Sequence, residues 1–341
     1  MKVGFTFNQK RIGLQASDVE AEFDAPETID AIADAIASGG HEVIRIEADD
    51  YSFDRIREHK DDLGIVFNIA EGKYGDARES LIPCILDHFM IPYTGSSAST
   101  LAVTLDKART KEILSYHNIL NAQFKRVKYP DSGSFHDAYF PLPAIVKPLG
   151  EGSSRGIRNN CLVKTKEELS DRVKEISSIY KQDVIVEEFL SGREFTVGIL
   201  GNPGRVLPLV EIDFSRLPQG IEHFDSYEAK WEYDSPGNPV VEVICPARID
   251  ASLKEHIDKA CLDAYHALKC YDFTRMDVRL DKNGKAHIIE VNALPGMIAD
   301  PQENSRFPLA ARTDGIDYNS MVLAILDSAV QRYKQLGHIF K

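Results

Sequence analysis

Leu63-Gly-Ile-Val-Phe-Asn-Ile69 is a nearly unbroken apolar run of strand length, and it constrains the fold more than any other stretch. A strand with one wet face alternates. One buried on both faces does not, so this run belongs to a sheet covered on both sides. The flanking segments supply the covers. Residues 2–7 are apolar and β-rich. A helix is expected from about Pro26 to Ser38, with Ile29, Ile32, Ala33 and Ile36 on one face and Gly39-Gly40 ending it. Val43 to Ile46 is the next strand. The loop Glu71-Gly-Lys-Tyr-Gly-Asp76 leads into a helix near Glu79 to Phe89. Strand, helix, strand, helix in this order predicts an α/β fold with a mostly parallel sheet.

Downstream, Ile91 to Ser99 is turn-rich and precedes an expected helix from Leu101 to Tyr116. Pro143 to Pro148 reads as a strand, Lys164 to Ile179 as a helix with Thr165 as its cap, and Asp183 to Glu188 as a strand. Glu194 to Leu200 and Val206 to Ile212 read as strands, Ser252 to Leu268 and Tyr318 to Leu336 as helices. Between them, 213–239 is long, polar and aromatic. A loop of that length with Tyr227, Lys230, Trp231 and Tyr233 is expected to be a lid. At 341 residues the chain suits two or three domains.

The formal charge of -13 argues against nucleic acid or an anionic membrane surface as partner. Met1-Lys-Val-Gly-Phe-Thr-Phe7 enters a strand directly, unlike a signal peptide, and no apolar run approaches the roughly 20 residues that span a bilayer. The five cysteines are scattered with no C-x-x-C pair, which fits reduced thiols in a cytoplasm.

Chemistry concentrates in a few segments. Arg275 to Asn292 reads as a hairpin turning at Asp281-Lys-Asn-Gly284, which brings Asp277 towards Glu290 and Asn292 on one face. Two carboxylates and an amide oxygen beside an arginine suit Mg²⁺, a hard cation that favours oxygen ligands and often binds phosphates. Alone, such a hairpin is more often a surface turn with solvated acids. Gly150-Glu-Gly-Ser-Ser-Arg-Gly156 is a donor-rich loop whose amides, with Ser153 and Ser154, suit phosphate oxygens, although it is not a Walker loop and alone is more often just a loop. Lys147 precedes it at a strand end, and Lys107 heads another helix. Glu187-Glu188-Phe189-Leu190 ends a strand in an apolar pair that suits an adenine slot, with Glu194 beyond the turn for ribose hydroxyls; the plain alternative is a strand–turn–strand link.

In collinear order these residues resemble the ATP-grasp superfamily and, within it, the D-alanine–D-alanine ligase family. The resemblance rests on Ile91-Pro-Tyr-Thr-Gly95, Leu105-Asp-Lys107, Ile145-Val-Lys-Pro148, Glu151 to Gly156, Val186 to Val197, Tyr227-Glu-Ala-Lys230, Cys245-Pro-Ala247 and Arg275 to Met297, nearly the whole chain. It implies a three-domain ATP-grasp architecture with an N-terminal parallel-sheet (pre-ATP-grasp) domain at 1–105, a central subdomain at 106–190, and a C-terminal subdomain at 191–341 carrying the hairpin and the lid. It implies ATP between the last two, held by Lys107, Lys147, Ser154, Glu187 to Leu190, Glu194 and the lid's Lys230. Two Mg²⁺ ions, with Mn²⁺ as a substitute, would bind Asp277, Glu290 and Asn292. The implied reaction phosphorylates one amino acid's carboxylate for attack by the amine of a second, with Arg275 and Gly296 stabilising the oxyanion and Ser153 and Glu22 positioning the first substrate. A homodimer and a place in peptidoglycan synthesis are implied as well.

Four departures from the family pattern fall where amino acids are recognised. The usual glutamate before Val-Ser corresponds to Glu20-Ala-Glu-Phe-Asp-Ala-Pro-Glu27, with Glu22 the candidate and Glu20 open. Trp231 stands where a tyrosine is usual, and Asn68 to Asp76 replaces a His-Gly-rich loop. Met297 to Pro308 replaces a short segment whose serine helps bind the acceptor, and Ser305 with Arg306 become the candidate carboxylate clamp. The expectation is therefore a D-alanine–D-alanine-type ligase, with the same chemistry on another amino-acid or amine pair as alternative and a non-catalytic nucleotide-binding regulator as a third reading.

Overall fold

The computed structural model describes residues 1–11, 20–130, 139–235 and 238–340. Within the apolar run, Ile65–Asn68 is a fully buried strand. It pairs parallel with Lys2–Phe7, which pairs parallel with Glu42–Glu47 on its other side. Tyr93 closes the outer edge of Ile65–Asn68, where Val66 N–H donates to Pro92 O and Thr94 N–H to Val66 O. Helix Pro26–Ser38 buries Ile29, Ile32, Ala33 and Ile36 against this sheet, the face expected from their spacing. Its outer side packs on Tyr318–Gln335, so the first and last parts of the chain share one core.

Three expected elements differ from the structure. The single helix Leu101 to Tyr116 is two, Ala98–Leu105 and Lys107–Tyr116. Asp106 leaves helical geometry and its carboxylate accepts from Ala108 N–H and Arg109 N–H, capping the second helix. The break turns Lys107 into the first helical residue and aims its side chain inward. Strand Val206 to Ile212 is split into Arg205–Val206 and Val210–Asp213, because Pro208 has no N–H to give a ladder. The helix expected from Glu79 begins at Leu81, after a tight turn Arg78–Ser80 that buries Glu79.

A four-stranded antiparallel sheet runs in the order Phe124–Val127, Val184–Glu188, Ala144–Pro148, Leu162–Val163. Helix Lys166–Tyr180 covers it and starts on a reciprocal cap between Thr165 and Glu168. The larger sheet orders Glu242–Ile244, Val210–Asp213, Glu194–Leu200, Phe273–Leu280 and Ala286–Asn292, with Arg205–Val206 on Glu194–Leu200.

Asp272, just before Phe273–Leu280, is fully buried and ties three regions together. Its carboxylate accepts from Gly95 N–H at 2.7 Å, Asn202 Nδ2 at 2.5 Å and Arg332 Nη2 at 2.7 Å. Asp272→Ala strips a buried guanidinium of its counter-charge and is expected to cost about 3–5 kcal/mol. Asp272→Asn keeps the shape and isolates the charge. Denaturant unfolding checks this, and a loss below about 1 kcal/mol in the alanine variant would contradict it.

Candidate active site

The site grows from the hairpin register. Asp277 lies opposite Glu290 and Arg275 opposite Asn292, so all four side chains share one face. The turn has the expected chemistry: Asp281 Oδ1 accepts from Asn283 and Lys285 N–H, and Gly284 takes the left-handed conformation. Asp277 Oδ1 accepts from Thr196 Oγ1 at 2.7 Å, and Oδ2 from Arg275 Nη2 at 3.0 Å and Asn292 Nδ2 at 3.3 Å. Glu290 Oε1 lies 3.0 Å from Lys107 Nζ, which also donates to Glu151 O. Burial alone would raise the Glu290 carboxyl, but Lys107 and Lys147 outweigh it and hold it down at about 2.

This donor set fits a hard divalent cation. Asp277, Glu290 and the Asn292 amide oxygen are all oxygen ligands on one face, and Arg275 and Lys107 neutralise the two carboxylates. Among the described residues no three His, Cys, Asp or Glu side chains cluster as a metal cage. These residues would hold such an ion through oxygen and leave the rest of its shell to phosphate oxygens and water, the usual habit of Mg²⁺.

Beside the hairpin lies a narrow, largely apolar slot of about 70 Å³. Its apolar walls include Ile145, Phe189, Leu190 and Phe224, and its polar end carries Lys147, Ser154, Glu194 and Asp277. The Arg279 guanidinium stacks 4.6 Å from the Phe189 ring centroid and donates to Glu194 at 2.7 Å. Glu187 lines the slot but is engaged below it, 3.0 Å from Lys147 Nζ and 3.4 Å from Lys111 Nζ. Glu188 continues the wall, its N–H held by Gln123 O. Sequence reasoning missed Phe224, Lys111 and Arg279 as site residues. Only Arg279 carried a signal, lying two residues beyond Asp277 on the same strand face.

A second cavity, of about 400 Å³, meets the first at Glu290, which lines both. Its walls include Glu22, Ser153, Lys230, Arg275, Gly296 and Ser305. Gly296 N–H has no acceptor among the described residues. Glu20 is not on the wall; its carboxylate accepts from Arg11 N–H. Glu22 accepts from Arg78 Nη2 at 2.6 Å, and Arg78 Nη1 donates to Gly150 O at 2.7 Å. A Cβ at position 152 would sit 1.9 Å from Glu22 Oε1, so a side chain there would displace that carboxylate.

Two expectations need correction. The loop amides expected to wrap phosphate are partly committed inside the protein, Gly150 N–H to Gln182 Oε1 and Arg155 N–H to Gly152 O. Arg306 does not present a free fork to a carboxylate. Its Nη1 and Nη2 already donate to both oxygens of Asp225, at 2.8 and 3.1 Å. Asp225 belongs to the expected lid, which is seated on the loop: Ser154 Oγ donates to Asp225 O and Tyr227 N–H to Ile157 O. Ser305 Oγ accepts from Ile298 N–H at 3.2 Å. Trp231 ends the lid helix Tyr227–Trp231, and its side chain lies outside the described residues.

The family model for the D-ala D-ala ligase C-terminus matches residues 113–327. A D-alanine–D-alanine ligase of Carboxydothermus hydrogenoformans (strain ATCC BAA-161 / DSM 6008 / Z-2901) is 32% identical over 325 residues, 93% of this chain and 97% of that protein. The chain belongs to the D-alanine–D-alanine ligase family. The similarity extends to the protein of Sinorhizobium fredii (strain NBRC 101917 / NGR234) known as uncharacterized protein y4sG, 32% identical over 89% of this chain and 88% of that one. The fold matches a crystal structure of the Bacillus anthracis D-alanine–D-alanine ligase complexed with ATP, with a TM-score of 0.73 at 23% identity, covering 99% and 100% of the two chains. D-alanine–D-alanine ligases are ATP-dependent ligases that use a divalent metal, and the hairpin's oxygen donors and the adjoining slot are consistent with both.

Glu79, on the wall of the second cavity, makes folding stability depend on pH. Burial and repulsion by Glu22 raise the Glu79 carboxyl to about 8, against weaker pulls from Arg78 and Lys107 and a further push from Glu290. The folded protein therefore holds a proton there that the unfolded chain releases near its ordinary value of 4.5. Stability of the ligand-free protein is expected to fall as pH rises from that value through about 8, and to fall less in Glu79→Gln. Chemical unfolding from pH 5 to about 9 checks it, and parallel pH profiles for the two proteins would contradict it.

Proposed function

We propose that this chain joins two amino acids at the expense of ATP, in a reaction of the D-alanine–D-alanine ligase type. One observation carries the reading. The Asp277–Glu290 face opens on the nucleotide slot and the second cavity at once, so a γ-phosphoryl group and a carboxylate can meet there. Bound ATP with its divalent metal supplies the phosphoryl group and offsets its charge. Asp277, Glu290 and Asn292 are the residues to hold the metal, in our reading two Mg²⁺ ions that Mn²⁺ can replace. Lys107 and Lys147 lie beside them for phosphate oxygens.

The residues of the chain then divide the work. Phe189, Leu190 and Phe224 hold the base in an apolar slot, with Glu188 at its wall and Glu194 for the ribose. Lys147 fixes Glu187 beneath them. Ser153 and Glu22 orient the first amino acid so that its carboxylate oxygen attacks the γ-phosphorus and ADP leaves. The amine of the second amino acid attacks the resulting acylphosphate carbonyl. Arg275 and Gly296 N–H stabilise the oxyanion, phosphate leaves and a peptide bond remains. Ser305 faces the acceptor, while Arg306 anchors the lid through Asp225 and keeps Lys230 over the site. We assign 1–105 to amino-acid binding and 106–190 and 191–341 to the two jaws around ATP, in a cytoplasmic enzyme that is a homodimer supplying peptidoglycan or specialised peptide synthesis. A donor other than D-alanine is the second reading, favoured by the carboxylates around Glu22.

ADP release coupled to a dipeptide seen by mass spectrometry, dependent on Mg²⁺ and on both amino acids, is the expected result. ATP binding without turnover across a panel of D- and L-amino acids would instead support a non-catalytic nucleotide binder. Arg275→Ala is expected to lower kcat by about 10²–10³-fold with little change in the KM for ATP. Lys147→Ala is expected to raise that KM. The reverse pattern in steady-state kinetics would overturn these two roles.

A further inference from the structure

We infer that the first substrate is a basic amino acid, one carrying an ammonium or guanidinium on its side chain besides the α-ammonium; this rests on the ligase reading above. Four carboxylates of the N-terminal part line one end of the substrate cavity: Glu22, Asp24, Glu71 and Glu79. Glu22 is paired with Arg78. Asp24, Glu71 and Glu79 have no side-chain hydrogen bond or ion pair among the described residues. Glu79 is only 9% exposed and still lies on the cavity wall, so it is a buried, unpartnered acceptor aimed into the site.

The placement of Glu71 and Glu79 is built in. Gly72, at φ +76, lies so close to the turn Arg78–Ser80 that a Cβ would stand 2.4 Å from Arg78 O. The two turns thereby pack backbone against backbone, an approach that only glycine at 72 permits. Ser80 Oγ fixes the second by donating to Ala98 O at 2.7 Å. Two adjoining turns thus deliver two carboxylates to one wall.

Charge decides what belongs there. Of the cations beside the wall, Arg78 is taken by Glu22 and Lys107 by Glu290 outside the cluster. Residues 12–19, outside the described structure, contain no Lys, Arg or His. An α-ammonium neutralises one carboxylate. An alanine side chain would leave the others desolvated, able to stay buried only by holding protons, whereas a cation would let them ionise as partners. Burial raises Asp24 to about 7, and burial with neighbouring acids raises Glu79 to about 8, so the ligand-free site holds protons where a cation would sit. A second cationic group offers what D-alanine lacks.

The test is ADP release with ATP and Mg²⁺ over lysine, ornithine, 2,4-diaminobutyrate and arginine in both configurations, against D-alanine and D-serine. A basic amino acid is expected to exceed D-alanine by about tenfold or more in kcat/KM. Glu79→Gln should raise the KM for that amino acid by about tenfold while leaving the KM for ATP unchanged. Calorimetry of the basic amino acid on the wild-type protein should also show protons released on binding. Glu71→Gln serves as the second variant should Glu79→Gln fail to fold. D-alanine matching or beating every basic amino acid overturns the inference and leaves the ligase reading standing. Turnover with no amino acid of either set overturns both. Stabilisation by MgCl₂ or CaCl₂ alone that vanishes in Glu79→Gln puts a metal in the cluster and overturns the inference as well.

Discussion

The register of one hairpin holds the rest of the site in place. Phe273–Leu280 and Ala286–Asn292 pair so that Asp277 faces Glu290 and Arg275 faces Asn292, with a bulge immediately after Asp277. Side chains alternate across a sheet, so a slip of one residue would send these groups to the opposite face. That opposite face is core, where Met276, Val278 and Val291 are buried. Hydrophobic burial therefore specifies the position of the polar groups. The bulge adds a local twist, a device often found beside active sites.

Around that face the ligand-free protein balances its own charge. Lys107 sits on Glu290, Arg275 on Asp277, and Lys147 with Lys111 on Glu187. Such buried pairs add little net stability, yet losing one partner is expensive, so the groups stay fixed and ready. Arriving phosphates and metal exchange partners with charges already desolvated and oriented. The lid is held in the same way, with Arg306 clasping Asp225 and lying 3.7 Å from Asp234. The acidic wall around Glu79 differs because its carboxylates outnumber its cations: Arg78 is taken by Glu22, and no ion pair reaches Asp24, Glu71 or Glu79 among the described residues. That contrast separates the generic ATP half of the site from the half that selects a substrate.

Much of this was legible in the sequence because it is local. Ile29, Ile32, Ala33 and Ile36 announce a helix face, and Asp281 to Gly284 announces a turn. The hairpin follows from both strands and the turn between them. The break at Asp106 was only half legible: Asp is a natural cap and Lys107 reads as the head of a helix, but Leu105-Asp-Lys107 has no Gly or Pro and the periodicity runs on. Pro208 could have warned of the split strand. Lys111 reads as an ordinary helix lysine, and only the fold brings it to Glu187. Arg306 was read as a carboxylate clamp because its partner Asp225 is 81 residues away. In the sequence Glu71 reads only as part of a loop that departs from the family and Glu79 only as the start of a helix, while their convergence with Glu22 and Asp24 depends on tertiary packing.

Oxygen transfer tests the central claim most directly. Phosphorylation of a carboxylate followed by amine attack leaves one carboxylate oxygen on the released phosphate. Turnover with the first amino acid labelled with ¹⁸O in its carboxylate should therefore give phosphate carrying one ¹⁸O, with ADP formed in equal amount, and both should be lost in Asp277→Ala. Unlabelled phosphate from the wild-type protein would mean that water, not a carboxylate, attacks at the Asp277–Glu290 face, and would contradict the ligase account.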